Sequence, residues 1–186
     1  MAKTLSTMSL ELGETMPEFH LADLTGDIYD SKNLKNIKGF LVAFICNHCP
    51  YVVHIRESFV AVSKKLQSKG IEVVAINSND SDMYPEDSPE KMKEYADRFH
   101  YSFPYLYDET QNVAKAFDAA CTPDFYLFDQ SKKLYYRGEF DSSRPGNQVP
   151  CDGETLMQAA NDMLAQAAPP ANQRPSLGCN IKWKAT

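Results

Sequence analysis

The sequence has no apolar run that approaches the roughly 20 residues a membrane-spanning helix needs. Basic residues are in deficit: Lys and Arg number 19 against 25 Asp and Glu, a formal net charge of −6. That balance argues against nucleic-acid and anionic-membrane partners. Residues 1–14 lack the continuous apolar segment of a secretory signal, so we expect a cytoplasmic protein. With 186 residues, 43% of them hydrophobic, the chain can bury the core of a single domain.

The cysteines do not form the pattern of a secreted disulfide framework, because their number is odd and their spacing irregular. In a reducing compartment, a CxxC pair is more typical of catalysis or metal binding than of a structural disulfide. The sequence contains no second CxxC and no HxxxH. The five cysteines are Cys46, Cys49, Cys121, Cys151 and Cys179.

The most informative stretch is the pentapeptide 46–50, which holds Cys46 and Cys49. It follows the apolar run 40–45, which is typical of a buried strand, and precedes apolar residues at helical spacing over 51–69. The pattern therefore predicts a thiol pair at a strand-to-helix junction, on the first helical turn. Free backbone N–H groups and the helix dipole favour an anion there, which lowers a cysteine pKa.

The rest of the chain alternates strand and helix patterns and predicts an α/β fold with a mixed sheet. We expect a domain over residues 1–168 and a C-terminal tail, 169–186, docked on it. The acidic loop at 80–87 is interpreted as a solvated surface. The other predicted elements are an N-terminal hairpin at 19–29, a strand at 71–77, a hairpin at 125–138, and helices at 88–100, 110–119 and 153–166.

Several motifs together resemble known families. Residues 46–49 and Thr122-Pro123 resemble the CxxC and late Thr-Pro of the thioredoxin fold. Residues 13–21 (GETMPEFHL) are similar to the opening of the AhpC/TSA branch, the peroxiredoxins and redoxins. The segments 46–52 (CNHCPYV), 122–129 (TPDFYLFD), 144–147 (RPGN) and 178–184 (GCNIKWK) resemble a peroxiredoxin-like group of bacterial proteins. The resemblance implies a thioredoxin-like fold: a central mixed sheet with helices on both faces, an N-terminal hairpin extension and a C-terminal tail.

The resemblance also implies roles for the site residues. Cys46 is expected to be the attacking thiolate and Cys49 the buried resolving thiol. Pro123 is expected to be a cis-proline that faces the pair and holds the backbone of Thr122 ready to pair with a substrate strand.

Three further residues are candidates for the same site. A partly charged His48 imidazole would stabilise the thiolate and make the couple more oxidising than thioredoxin, whose potential is about −270 mV. Cys121 lies two residues before Pro123, and Cys179 lies in a tail that could fold back over the site. Either is a candidate second resolving thiol.

Departures from true peroxiredoxins point to dithiol chemistry. Those enzymes place Pro and Thr or Ser seven and three residues before the peroxidatic cysteine. Before Cys49 these positions hold Val42 and Cys46, and before Cys46 they hold Gly39 and Ala43.

The peroxide-polarising arginine of those enzymes has no counterpart either. Residues 121–123 occupy its expected place, and neither Arg56 on the CxxC helix nor Arg137 on a later strand fits the motif.

The sequence thus predicts a thiol–disulfide oxidoreductase working through a Cys46/Cys49 dithiol–disulfide cycle, with an antioxidant or redox-homeostasis role and no cofactor. The expected partners are protein or small-molecule thiols and disulfides, with a thioredoxin- or glutathione-type electron donor. We expect a monomer or a homodimer.

Two alternatives remain open. One is a thiol-dependent peroxidase, in which a cysteine is oxidised to sulfenic acid and resolved by its neighbour. The other is a metal-binding or metal-delivery module using Cys46, His48 and Cys49, with Cys121 or His54 as a fourth ligand.

Overall fold

The computed structural model describes residues 3–185; residues 1, 2 and 186, the outer ends of the predicted domain and tail, lie outside the described residues. Its strands are β1 (Lys3–Leu5), β2 (His20–Ala22), β3 (Ile28–Asp30), β4 (Gly39–Phe44), β5 (Ile71–Asn77), β6 (Tyr105–Tyr107), β7 (Cys121–Thr122), β8 (Asp124–Asp129), β9 (Leu134–Gly138) and β10 (Leu177–Asn180). Its helices are α1 (Pro50–Ser68), α2 (Pro89–Arg98), α3 (Asn112–Ala116) and α4 (Glu154–Leu164), with 3-10 turns at Ser31–Asn33 and Pro85–Asp87.

Five strands form the central sheet, in the order β6-β5-β4-β8-β9. The middle strand, β4, runs parallel to β5 and antiparallel to β8. At the two edges, β6 is parallel to β5, and β9 is antiparallel to β8. The predicted α/β fold with a central mixed sheet is confirmed.

Helices cover both faces of this sheet. All six residues of β4 are buried, and successive side chains point to opposite faces. Leu41 and Ala43 pack with residues of α1 and α4. Phe40 and Phe44 pack on the other face with Phe117, which follows α3, and the Phe44 and Phe117 ring centroids are 5.4 Å apart. Burial on both faces explains why β4 is a continuous apolar run in the sequence.

The N-terminal hairpin is also confirmed. β2 and β3 pair antiparallel, with His20 opposite Asp30. The Asp23 carboxylate accepts a hydrogen bond from the Thr25 amide at 2.8 Å, and the turn passes through Gly26 at φ +92°. A positive φ of this kind favours glycine.

The C-terminal residues return to the domain as a strand. β10 pairs antiparallel with β1 on one side and with β7 on the other, placing Cys179 opposite Thr122. The Ile181 amide extends this ladder by donating to the Ala120 carbonyl at 3.0 Å. The division of the chain at residue 168 stays a prediction.

The helices differ from the predicted ranges mainly at α3, which covers five residues rather than the ten of 110–119. Gln111 and Asp118 take positive φ on either side of it, and such residues do not continue a right-handed helix. α2 begins as expected, with the Ser88 hydroxyl accepting from the Lys91 amide. In the part of the chain that the structure describes, no helix combines the length and apolar character needed to cross a membrane.

Candidate active site

The two thiols of the CxxC lie at the carboxyl end of β4. Cys49 is the N-cap of α1, and Pro50 occupies the first helical position, where its missing N–H leaves no bond unmade. Cys46 precedes the helix by a short loop, so the expectation that both thiols lie on the first helical turn is correct only for Cys49. Both side chains are nearly inaccessible, at 2% exposure for Cys46 and 0% for Cys49.

The pair faces the segment Thr122-Pro123, as the resemblance implies. The peptide bond between these two residues is cis. The Cys46 Sγ lies 3.3 Å from the Thr122 Oγ1, and the Cys49 Sγ lies 3.1 Å from the Thr122 carbonyl oxygen. One residue of β7 therefore contacts both sulfurs, through its side chain and its backbone.

The backbone of Thr122 in β7, which is expected to pair with a substrate strand, is already paired within the protein. In the ladder between β7 and β10, Cys179 lies directly opposite Thr122. A Cβ on Gly178 would lie 2.0 Å from the Thr122 carbonyl oxygen, so only glycine permits this close approach. Thr122 therefore has an intramolecular partner, and its role in binding substrate stays a prediction.

The two thiols have opposite electrostatic surroundings. Burial raises the pKa of Cys46 well above its usual range, and its thiol hydrogen bond to Cys49 and the negative charge of Asp87 act in the same direction. The hydrogen bond between Cys49 and Cys46 lowers the pKa of Cys49 to about 5, against the opposing effect of burial, and the interactions of Cys49 with Cys179 and with the Val52 amide also lower it. The direction agrees with the fold, because Cys49 caps the helix whereas Cys46 precedes it. Within the pair the lower pKa therefore belongs to Cys49, which is opposite to the expectation that Cys46 is the thiolate.

His48 lies against a buried carboxylate. Its Nδ1 is 2.7 Å from the Asp87 Oδ2, and its ring stacks on Tyr84 with centroids 5.8 Å apart. The bond to Asp87 raises the pKa of His48, although burial opposes this. The His48 imidazole therefore interacts with the Asp87 carboxylate. A direct effect of His48 on the thiols stays a prediction.

Asp87 is a site residue that the sequence analysis missed. Its side chain is fully buried, and its carboxylate accepts from the Asn47 amide and the Asn79 side chain, each at 2.7 Å. Burial raises its pKa, yet the bonds from His48, Asn79 and Asn47 outweigh burial and leave the pKa lowered.

The interpretation of residues 80–87 as a solvated surface is therefore wrong for Asp87, and also for Asp80, which is 6% exposed. The adjacent parallel strands give one reason to expect the loop containing Asp87 near Cys46. Cys46 and the loop containing Asp87 follow β4 and β5, which are adjacent and parallel, and the carboxyl ends of such strands meet at one edge.

A second buried carboxyl, that of Asp124, lies next to Pro123 in the chain. Its oxygens accept from the Tyr126 hydroxyl at 2.9 Å and the Phe125 amide at 3.1 Å. Burial raises the pKa of Asp124 to about 7, because these hydrogen bonds only partly compensate for the lost hydration.

The two candidate resolving thiols occupy different surroundings. The Cys179 Sγ is 2.7 Å from the Cys49 Sγ. The Cys121 Sγ instead contacts backbone carbonyls, those of Pro123 at 3.8 Å and Ser176 at 3.9 Å. Among the described residues, Cys179 hydrogen-bonds a thiol of the CxxC and Cys121 does not.

Arg56 is close to the site but does not contact the sulfurs. Its guanidinium donates to the Asn47 carbonyl at 2.6 Å and lies over the rings of Tyr95 and Phe99, 4.7 and 4.6 Å from their centroids. Among the described residues, no arginine hydrogen-bonds Cys46 or Cys49. This agrees with the absence of a peroxide-polarising arginine from the sequence pattern.

The structure gathers a different set of potential metal ligands from the one the sequence suggests. Ligand atoms of Cys46, His48 and Asp87 lie within 4.8 Å of one another. His54 instead bonds the Ser143 hydroxyl at 3.0 Å, on the side of α1 near Cys151. A metal at this site would therefore be held by a thiol, an imidazole and a carboxylate.

Comparison with known proteins agrees with this geometry. The model of the AhpC/TSA family matches residues 12–137. A crystal structure of an uncharacterized conserved protein from Geobacillus kaustophilus is similar with a TM-score of 0.96 and 47% identity, over 100% of this chain and 98% of that one. The thiol-disulfide oxidoreductase ResA of G. kaustophilus is 27% identical over 129 residues, 68% of each chain. The thioredoxin domain of a Bacteroides vulgatus thiol-disulfide oxidoreductase shares the fold, with a TM-score of 0.61 and 16% identity, over 82% of this chain and 100% of that domain.

Proposed function

This chain belongs to the AhpC/TSA family, and we propose that it is a thiol–disulfide oxidoreductase working through a Cys46/Cys49 dithiol–disulfide cycle. One observation carries the proposal: both sulfurs of the CxxC converge on Thr122, which precedes the cis-proline. The similarity to ResA proteins, named thiol-disulfide oxidoreductases, supports the same reaction class. Its substrates are thiols and disulfides.

The reduced pair begins the cycle with one proton and one negative charge. Cys46 keeps its proton because it is buried beside Asp87, and Cys49 carries the charge at the helix N-terminus. Cys46 attacks a substrate disulfide and passes its proton to Cys49, so that a mixed disulfide forms and one substrate thiolate leaves. The protonated Cys49 is then within hydrogen-bond distance of the Thr122 carbonyl, 3.1 Å away.

The second step closes the internal disulfide. The departed substrate thiolate takes the proton from Cys49, and Cys49 attacks the Cys46 sulfur of the mixed disulfide. The bond between Cys46 and the substrate breaks, and the second substrate thiolate leaves. In total the substrate disulfide gains two electrons, and the CxxC loses two. A thioredoxin- or glutathione-type donor reverses these steps and restores the dithiol.

The substrate is proposed to approach beside Pro123. A cavity there lies between the first turns of α1 and the loop after β9, and it contains both charged and aromatic side chains. Its walls include Tyr51, His54, Phe140, Asp141 and Arg144. Because the β7 edge is paired with β10, an approach beside Pro123 leaves the strand ladder intact.

The direct test is reduction of insulin disulfides and of oxidised glutathione, with a thiol donor present. We expect turnover by the wild-type protein and by Cys151→Ser, a matched control outside the thiol pair, and none by Cys46→Ser. Cys49→Ser should accumulate a mixed disulfide on Cys46, detected by intact mass and peptide mapping. The proposal fails if the wild-type protein forms no Cys46–Cys49 disulfide with any oxidant.

A metal-binding function is a second candidate, because Cys46, His48 and Asp87 place ligand atoms within 4.8 Å of one another. Thiol, imidazole and carboxylate ligands suit Zn²⁺. Metal analysis of protein purified without chelators separates the two functions. One equivalent of zinc lost in Asp87→Asn, with no disulfide turnover, would favour the metal site.

A peroxidase is distinguished by steady consumption of hydrogen peroxide with the same thiol donor. We expect little, because the described part of the chain has no arginine bonded to either thiol of the pair. Rapid, saturable peroxide consumption that depends on Cys46 would move the assignment to that activity.

A further inference from the structure

A third thiol is built into the site by the C-terminal strand. β10 lies against β7 so that Cys179 is opposite Thr122, the residue that contacts both Cys46 and Cys49. Gly178 makes the approach possible, since a side chain there would collide with the Thr122 carbonyl. The position of Cys179 therefore follows from paired backbone on both of its neighbouring strands, β1 and β7.

The contact made by Cys179 is with Cys49, the member of the pair that closes the disulfide. Their sulfurs are 2.7 Å apart, and Cys179 is 3% exposed. Cys121 is also buried, but the hydrogen-bond partners of its sulfur among the described residues are carbonyl oxygens. Of the two thiols that the sequence leaves as candidates, the geometry selects Cys179.

We propose that Cys49 and Cys179 form a second redox-active disulfide that exchanges with the Cys46–Cys49 disulfide. The proposal rests on the function given above, because the first disulfide supplies the oxidising equivalents. Cys179, as thiolate, attacks the Cys49 sulfur; the Cys49–Cys179 bond forms and the Cys46–Cys49 bond breaks. The proton that leaves Cys179 goes to the released Cys46 thiolate. No electrons are gained or lost in total.

This exchange gives the oxidised protein two forms with different reactivity. When Cys49 and Cys179 form the disulfide, Cys46 is a free thiol again. The C-terminal tail is then joined covalently to the start of α1. In the proposed cycle, external thiols exchange at Cys46, which is not part of this second disulfide. Its reduction therefore passes back through Cys46, which attacks Cys49 and restores the first disulfide.

The proposal predicts which disulfide forms when Cys46 is absent. Cys46→Ser, treated with diamide and mapped by peptide mass spectrometry, should contain a Cys49–Cys179 disulfide. Cys46→Ser/Cys121→Ser is the matched control and should contain the same disulfide. Cys46→Ser/Cys179→Ser should leave Cys49 open to alkylation after unfolding. A Cys49–Cys121 disulfide, or a free Cys49 in oxidised Cys46→Ser, would overturn the proposal.

Reduction kinetics test the route through Cys46. We expect glutathione to reduce the Cys49–Cys179 disulfide of Cys46→Ser at least about tenfold more slowly than it reduces the oxidised wild-type protein, because the variant lacks the Cys46 sulfur at which external thiols exchange in the proposed cycle. Equal rates would show direct access and contradict the relay.

Failure of this inference is separable from failure of the proposed function. If Cys179→Ser forms the Cys46–Cys49 disulfide and reduces insulin, while oxidised Cys46→Ser holds no Cys49–Cys179 bond, only the relay is wrong. If the wild-type protein forms Cys49–Cys179 but never Cys46–Cys49, the dithiol cycle is wrong and so is the exchange built on it.

Discussion

The thiol pair lies between two buried surfaces of different chemistry. On the side of the loop after β5, Asp87 receives hydrogen bonds from Asn47 and Asn79 and lies against His48. These interactions lower the pKa of Asp87. On the side of β7 and β10, burial outweighs the hydrogen bonds to Asp124 and raises its pKa to about 7. Two aspartates that are equally inaccessible therefore differ in charge near neutral pH. The His48 imidazole, which bonds Asp87 and lowers its pKa further through its charge, accounts for the difference.

The two sides of the thiol pair have different roles. The polar side, formed by His48, Asp87 and their donors, holds fixed charge beside Cys46. The thiol side, formed by Thr122, Cys179 and Asp124, presents a sulfur and a carbonyl to Cys49. We therefore expect changes on the polar side to alter stability and redox potential, and changes on the thiol side to alter which disulfide forms.

The largest expected effect comes from Asp87→Asn. The substitution removes the charge that faces His48 and places an amide group against the donor of Asn79. We expect the free energy of unfolding to fall by about 3 kcal/mol, the scale for losing one member of a buried charged network. Urea denaturation measures this.

The matched control for Asp87→Asn is Glu86→Gln, which removes the same charge from the adjacent exposed residue. It should change the free energy of unfolding by less than about 0.5 kcal/mol. Equal effects of the two substitutions would show that net charge, and not the buried network, stabilises the loop.

Asp124→Asn tests the other carboxyl through pH. The pKa of Asp124 is about 7 in the folded protein, above the value of about 3.9 expected on unfolding, so folding takes up a proton. Its contribution to stability is complete below about pH 4 and is lost as the pH rises through about 7.

In that interval the wild-type protein should lose up to about 1.4 kcal/mol per pH unit relative to Asp124→Asn, because the amide cannot ionise. Between about pH 5 and pH 7 the difference should reach about 2 kcal/mol. Urea denaturation of both proteins at each pH supplies it. Parallel pH profiles would show that Asp124 is ionised in the folded protein and that the two carboxyls do not differ.

The part of the site that depends on local sequence patterns could be predicted from the sequence. The apolar run of β4 and the helical spacing after it locate Cys46 and Cys49, and the resemblance locates Thr122-Pro123. Asp87 could not be singled out, because it lies 40 residues from the Asn47 amide it binds, in a loop with several acidic residues. The Cys49–Cys179 contact spans 130 residues and depends on the register of two short strands. Neither strand is long enough to show a pattern.

His48→Gln tests whether the fixed charge of the polar side reaches the thiols. Without the imidazolium, the negative charge of Asp87 is less compensated, which disfavours the thiolate that the reduced pair carries on Cys49 and hence the reduced form. We expect the reduction potential to fall by about 30 mV, a tenfold change in the equilibrium. Equilibration with glutathione buffers measures it, and His54→Gln, on α1 but bonded to Ser143, is the control.

An unchanged potential in His48→Gln would show that the imidazole acts only on Asp87. The same titration of the wild-type protein tests whether its reduction potential is higher than that of thioredoxin. A potential at or below about −270 mV would contradict the expectation of a more oxidising couple.

The smallest effect is expected from Cys121→Ala, which separates the contribution of Cys121, the residue before Thr122, from that of Cys179 on the thiol side. Burial raises the pKa of Cys121 as it raises that of Cys179, but the Cys121 sulfur contacts carbonyl oxygens rather than another sulfur, so it lacks a partner for exchange. The substitution should reduce the free energy of unfolding by about 1 kcal/mol through lost packing, and leave the reduction potential and the rate of insulin reduction unchanged. Because Cys121 and Cys179 lie on paired strands, a shift in potential with Cys121→Ala would show that the thiol side acts as a group. No shift would leave Cys179 as the thiol through which this side takes part in exchange.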